Sequence, residues 1–183
     1  MSETVETVEQ AAPEAPRVNV DAELAKIRSV AADALVSVEE NQAAGMVWIT
    51  VKPQSIERVL QALRDDRSLD YKMLSDLSCV DRPDQEKRFT VFYNLLSISK
   101  NKRIFLRVNV AEKENVPSAT PVYSNADWAE REVYDLFGVV FHGHPDLRRI
   151  ELPDEWDGHP LRKDYPIVGK KPVLLYNNVK DIL

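Results

Sequence analysis

Residues 89–110 read FTVFYNLLSISKNKRIFLRVNV, two alternating apolar runs joined by a short polar link. In its first half Phe89, Val91, Tyr93 and Leu95 recur at every second position; in its second half Ile104, Leu106, Val108 and Val110 do the same. A period of two is the mark of a strand with one buried face. The connection around Lys100-Asn101 is too short for a crossover helix, so the two runs form an antiparallel hairpin.

Upstream, Tyr71 to Val80 lies between a helical pattern and the turn Asp81-Arg82-Pro83-Asp84, and is best placed as a third strand. Pro53 opens a helix in which Ile56, Val59, Leu60 and Leu63 share one face. Met46 to Val51 (MVWITV) is β-branched and aromatic, hence a strand, with Gly45 marking the turn before it. Asp21 is placed to cap a short helix carrying Leu24, Ile27, Ala31 and Ala34 on one side. This order predicts an α+β fold, a mainly antiparallel sheet with helices on one face. Residues 1–17 hold four glutamates, two prolines and no basic residue before Arg17, a composition that predicts a disordered acidic tail. The α+β domain is expected over 18–123.

Downstream, residues 124–183 divide into a helix and an extended segment. Ser124 and Asp127 resemble a capping arrangement, Ala129, Val133, Leu136 and Phe137 make an apolar stripe, and Gly138 is placed to end the helix. Arg131 and Asp135, four apart, are spaced to pair on its other side. Beyond Gly138, prolines at 145, 153, 160, 166 and 172 with glycines at 143, 158 and 169 forbid long helices and central strands. Large apolar residues recur there all the same: Phe141, Leu147, Ile150, Leu152, Trp156, Leu161 and Tyr165. The combination predicts an extended Pro-rich C-terminal strap lying on its own domain or on a partner.

Bulk composition narrows the function. The 183 residues are 44% apolar with a formal net charge of -6, against a general nucleic-acid binder, which needs clustered basic residues. Cys79 stands alone, so the chain has no intramolecular disulfide and no Cys-ligated cluster, and its apolar neighbours predict a buried thiol. No stretch approaches the ~18 apolar residues of a membrane span, and no signal peptide opens the chain, so it is expected in the cytoplasm, reaching a membrane only through partners.

Candidate chemistry concentrates in the last third. His142, His144 and His159 among several aspartates suggest a metal site, but the His-Pro pairs at 144–145 and 159–160 suit turn-building better. Glu130 and Glu132 sit about 200° apart on a helix and cannot converge on one substrate atom, so they read as a charged face for a neighbour or for Arg148 and Arg149. Phosphate-cradling glycine motifs and nucleophile motifs are absent.

The run Glu130-Arg131-Glu132-Val133-Tyr134-Asp135-Leu136-Phe137-Gly138, then Phe141-His142-Gly143-His144-Pro145-Asp146-Leu147-Arg148-Arg149-Ile150, closely resembles the signature of the complex I 30 kDa subunit family. Leu152-Pro153-Asp154-Glu155-Trp156 and Gly158-His159-Pro160-Leu161-Arg162-Lys163-Asp164-Tyr165-Pro166 continue the likeness, with a looser one around Leu74–Leu77 and Val80-Asp81. Glu151 departs from it, standing where many members carry an apolar residue. The resemblance implies a non-catalytic peripheral-arm subunit of a proton-translocating NADH:quinone oxidoreductase, in its unfused form. It also implies no catalytic residue, cofactor or metal in this chain, with flavin, iron–sulfur clusters and quinone in partner subunits. The implied partners are the 49 kDa-type subunit near the quinone site and neighbouring iron–sulfur subunits, at the cytoplasmic side of the inner membrane. Related ferredoxin- or F420H2-dependent quinone reductases and membrane-bound hydrogenases carry equivalent subunits, and a His-based metal-dependent enzyme is the rival of another class. Candidate partner contacts are Trp128, Arg131, Phe137, Phe141, Arg148, Trp156 and Arg162.

Overall fold

In a computed structural model of the chain, residues 19–41 and 46–167 are described; the acidic tail over 1–17, the Gly45 turn and the end of the strap beyond 167 lie outside them. The elements run α1 (Asp21–Val30), β1 (Leu35–Asn41), β2 (Met46–Val51), a 3-10 turn (Pro53–Ser55) leading into α2 (Ile56–Asp65), β3 (Met73–Asp81), β4 (Phe89–Ser97) and β5 (Lys102–Val110). After them come a short β6 (Val116–Pro117), α3 (Ala126–Phe137) and a short β7 (Phe141–His142).

Five strands form one sheet in the order β1-β2-β5-β4-β3. The β4–β5 hairpin is antiparallel, Tyr93 facing Leu106 and Leu95 facing Ile104, as the alternation requires. Only β2 against β5 is parallel within that sheet, and β6 and β7 form a separate parallel pair. The sheet's inner face, including Ile49, Val91, Tyr93, Leu95, Ile104, Leu106 and Val108, is fully buried. Against it pack Ile27 of α1, Ile56, Val59, Leu60 and Leu63 of α2, and Val133 and Phe137 of α3, giving helices on one face of a mainly antiparallel sheet. On the outer face Trp48 packs against Phe105 and Phe92, with ring centroids 4.4 and 5.3 Å apart.

Four local expectations need correction. Strand β1 is not foreseen: Leu35–Asn41 (LVSVEEN) is an edge strand, half exposed, and its carboxylates mask the alternation. Asp21 is the first helical residue of α1 rather than its cap; its N–H donates to the Asn19 side chain at 2.9 Å. Ser124 and Asp127 make no side-chain cap, because α3 begins at Ala126, two residues after Ser124, with Asn125 at the boundary. Arg131 and Asp135 do not pair with each other; both turn to the strap instead. Gly138 ends α3 in the left-handed region at φ 77°, the conformation that favours glycine.

Candidate functional site

The residues singled out for chemistry gather where α3 meets the strap. Four positions on α3 (Ala126, Glu130, Val133 and Phe137) share one face by the i, i+4, i+7 rule, and all four are buried. Glu130 is therefore an interior carboxylate and not a member of an exposed charged face. It accepts from Ser118 Oγ at 2.7 Å and from the Ala119 N–H at 2.6 Å, which fixes the loop after β6 onto the helix. Burial raises its pKa to about 7, partly opposed by those two donors. The Tyr93 hydroxyl, fully buried on the inner sheet face, has no hydrogen-bond partner among the described residues.

Asp135 organises the strap. Its side chain is wholly buried, and Oδ2 accepts from the consecutive backbone N–H groups of Ile150, Glu151 and Leu152 at 2.9–3.0 Å. Oδ1 accepts from Arg149. Burial pushes this carboxyl up, but the three N–H donors and the guanidinium outweigh it and hold it below the usual aspartate range. Arg149 in turn donates to the carbonyls of Trp156 and Gly158 at 3.1 and 3.0 Å. One buried ion pair thus fixes two bends of a segment that has no ladder of its own.

Further tethers follow the chain. Arg131 donates to the carbonyls of Arg148 and Arg149, both at 3.2 Å, and lies 5.2 Å over the Trp128 ring. His159 Nδ1 is 2.8 Å from the Asp135 carbonyl, which can only accept, so this nitrogen carries the proton. Burial, with Arg162 and Arg149 nearby, pushes the His159 pKa down and keeps the ring neutral. A Cβ on Gly138 would lie 2.5–2.6 Å from Arg162 Nη2 and the His159 ring, so the helix end must be glycine for the strap to close over it. Arg162 donates to the Phe137 carbonyl at 2.6 Å and to Glu112 at 2.7 Å, and covers the Phe89 ring. At the far end Arg88 grips Asp81 and Asp164, and the Lys163 N–H donates to Asp81.

The histidines do not converge. His144, its ring buried, accepts the Asp146 N–H at Nδ1 and donates from Nε2 toward the Asp127 carbonyl, which builds the turn at 144–146. His142 is exposed on β7. Among the described residues no three His, Cys, Asp or Glu side chains stand close enough to hold a metal ion. Cys79 is buried on β3, and burial, with Asp81 close by, pushes its thiol up to about 12.

The candidate contact residues separate into three groups. Phe137 and Phe141 lie in the chain's own core, 8% and 2% exposed, where they can position the strap. Arg131 and Arg162 hold strap and helix carbonyls, and Trp156 is half-buried with its indole N–H unpaired among the described residues. Trp128, 63% exposed, and Arg148, paired among the described residues with exposed Asp146, face outward. Sequence reasoning missed Asp135 and Arg149 as the centre of the site, and placed Glu130 outside when its spacing with Ala126, Val133 and Phe137 already put it inside. No described helix is long and apolar enough to cross a membrane.

Residues 49–171 match the protein-family model described as the 30 kDa subunit of respiratory-chain NADH dehydrogenase. The chain is 46% identical over 145 residues to the Brucella abortus NADH-quinone oxidoreductase subunit designated C, covering 79% of this chain and 72% of that protein. The same figures hold for the proteins of that name from Brucella ovis and Brucella melitensis. With two-thirds of its length matched by the family and the α3–strap region inside that match, the chain belongs to the respiratory-chain NADH dehydrogenase 30 kDa subunit family.

Proposed function

We propose that this chain is a non-catalytic peripheral-arm subunit of a proton-translocating NADH:quinone oxidoreductase, and that its α3–strap surface docks on the 49 kDa-type subunit near the quinone site. Flavin, iron–sulfur clusters and quinone are then held by partner subunits, and the chain meets the cytoplasmic side of the inner membrane only through the complex. The observation that carries the reading is a division of labour within residues 126–167. The arginines and buried acids tie the strap's own backbone, whereas Trp128, Leu161 and Ile167 stand 63%, 48% and 105% exposed. A segment so ordered, with large apolar side chains turned outward, is built to be covered by another protein.

The test is affinity purification through a tag on this chain from native membranes, with NADH–quinone reductase activity, flavin and iron–sulfur content measured in the eluate. Co-purification of all three with a 49 kDa-type subunit is expected. Recovery with a ferredoxin- or F420H2-oxidising activity and no NADH oxidation would replace the electron donor in this reading, and recovery of the chain alone would refute it. Arg131→Ala is expected to lower incorporation on native gels while the chain keeps its sheet, because it frees the Arg148 and Arg149 carbonyls and the Trp128 ring without opening the core.

A further inference from the structure

A groove of about 390 Å³ runs between β3 and α3, lined by Leu74, Leu77, Ala129 and Ile150 with Trp128 beside them. Three carboxylates also line it: Asp76 from β3, Glu132 from α3 and Glu151 from the strap. All three are exposed, and none forms an ion pair with a described residue. Two acids on the same helix and strap are neutralised instead: Asp135 pairs with Arg149 and Asp146 with Arg148. The groove is thus an apolar floor under an unneutralised negative rim. The carboxylates are not grouped closely enough to hold a metal ion, so the cation that suits them is one carried on a side chain.

We propose that this groove receives a segment of a neighbouring subunit that carries an arginine or lysine beside a large apolar side chain. The basic group meets Asp76, Glu132 and Glu151, and the apolar one packs on Trp128. The inference rests on reading the chain as a complex I subunit and adds the chemistry of the partner. Charge complementarity selects the occupant, since a neutral or acidic segment would leave three carboxylates desolvated without compensation. Trp128 is already oriented by the Arg131 guanidinium 5.2 Å from its ring, itself held on two strap carbonyls, so little side-chain entropy is lost when the ring is covered.

The experiment places a photo-crosslinking amino acid at Ser75, which lines the groove without being one of its charges, in the chain assembled in cells. The complex is purified, irradiated, and the attached peptide sequenced. A peptide from another subunit with a lysine or arginine within a few residues of the attachment point is expected. Attachment to residues 168–183 of this chain, to a peptide without a basic residue, or no attachment in a complex that contains the chain would each overturn the proposal. In parallel, Glu132→Arg combined with Glu151→Arg is expected to lower the assembled fraction on the order of tenfold, with the melting temperature of the purified chain unchanged. Normal assembly of that variant counts against the proposal. If the unaltered chain does not travel with NADH–quinone reductase activity, the subunit reading itself fails; if it does and the groove captures nothing basic, only the groove proposal fails.

Discussion

Replacing Asp135 by alanine is the sharpest probe of how the strap is held. The carboxylate is buried and takes three consecutive backbone N–H groups on one oxygen and Arg149 on the other. Removing it leaves those donors facing an apolar hole and strands a guanidinium that is only 15% exposed. Breaking a buried pair from one side costs about 3–5 kcal/mol. Spread over a domain of this size, the melting temperature should fall on the order of 10 °C. Tryptic cleavage after Arg149 and Arg162 should accelerate first, because both arginines are pinned through the strap. Asp135→Asn keeps the shape but loses the charge, and its deficit should depend on pH with a definite sign. The folded carboxyl lies below its unfolded value of ~3.9, so its contribution is fully present above that value and disappears as pH falls through the lower folded value. Denaturant unfolding of wild type and Asp135→Asn from pH 7 down to pH 3 measures this. A loss below ~1 kcal/mol at pH 7 for Asp135→Ala, or a gap between wild type and Asp135→Asn that widens toward acid, would refute the reasoning.

Glu130 carries the opposite sign: its folded pKa of about 7 lies above the unfolded value, so stability declines as pH rises from ~4.5 through 7. Glu130→Gln should flatten that profile and equal or exceed wild type at pH 8, by on the order of 1–3 kcal/mol; an unchanged slope in urea unfolding would show the carboxyl already ionised at no cost. Gly138→Ala should destabilise by about 1–3 kcal/mol, since it strains a φ of 77° and drives a methyl into His159 and Arg162. Faster proteolysis of the strap with α2 intact in hydrogen exchange is its signature. The Cys79 thiol, pushed up to about 12, should resist alkylation in the native chain at pH 8 and react once urea unfolds it. Equal rates in the two states would place it at the surface.

The sheet and α2 are legible because their signals are local. Phe89–Leu95 and Ile104–Val110 alternate cleanly, and Ile56, Val59, Leu60 and Leu63 repeat at helical spacing, so burial follows from periodicity alone. Strand β1 escapes because its alternation is written partly in glutamates and an asparagine. Its pairing with β2, and the parallel match of β2 with β5, depend on register between distant segments that no window reveals. At the site, proline and glycine spacing is enough to foresee a strap, but not what binds it. Arg148 and Arg149 are indistinguishable as letters, yet one faces solvent and the other closes on Asp135. In an irregular segment no periodicity assigns a side chain to a face. Glu130 is the instructive exception: its place on the 126–133–137 stripe outweighs its charge, and only the Ser118 and Ala119 donors make that tolerable.

The tethers along residues 144–164 also impose an order of events. Nearly every one ends on a group that exists only after something else has formed: the Asp135 carboxylate and the Phe137 carbonyl on finished α3, Glu112 just past β5, and the Asp81–Arg88 pair at the β3–β4 turn. The strap has no ladder with which to nucleate itself. It is expected to condense last, onto a completed sheet and helix, and pulsed hydrogen exchange should show its amides gaining protection after those of β3, β4 and β5. An arm held in this way would be able to close on its own domain and on a neighbour in the same step.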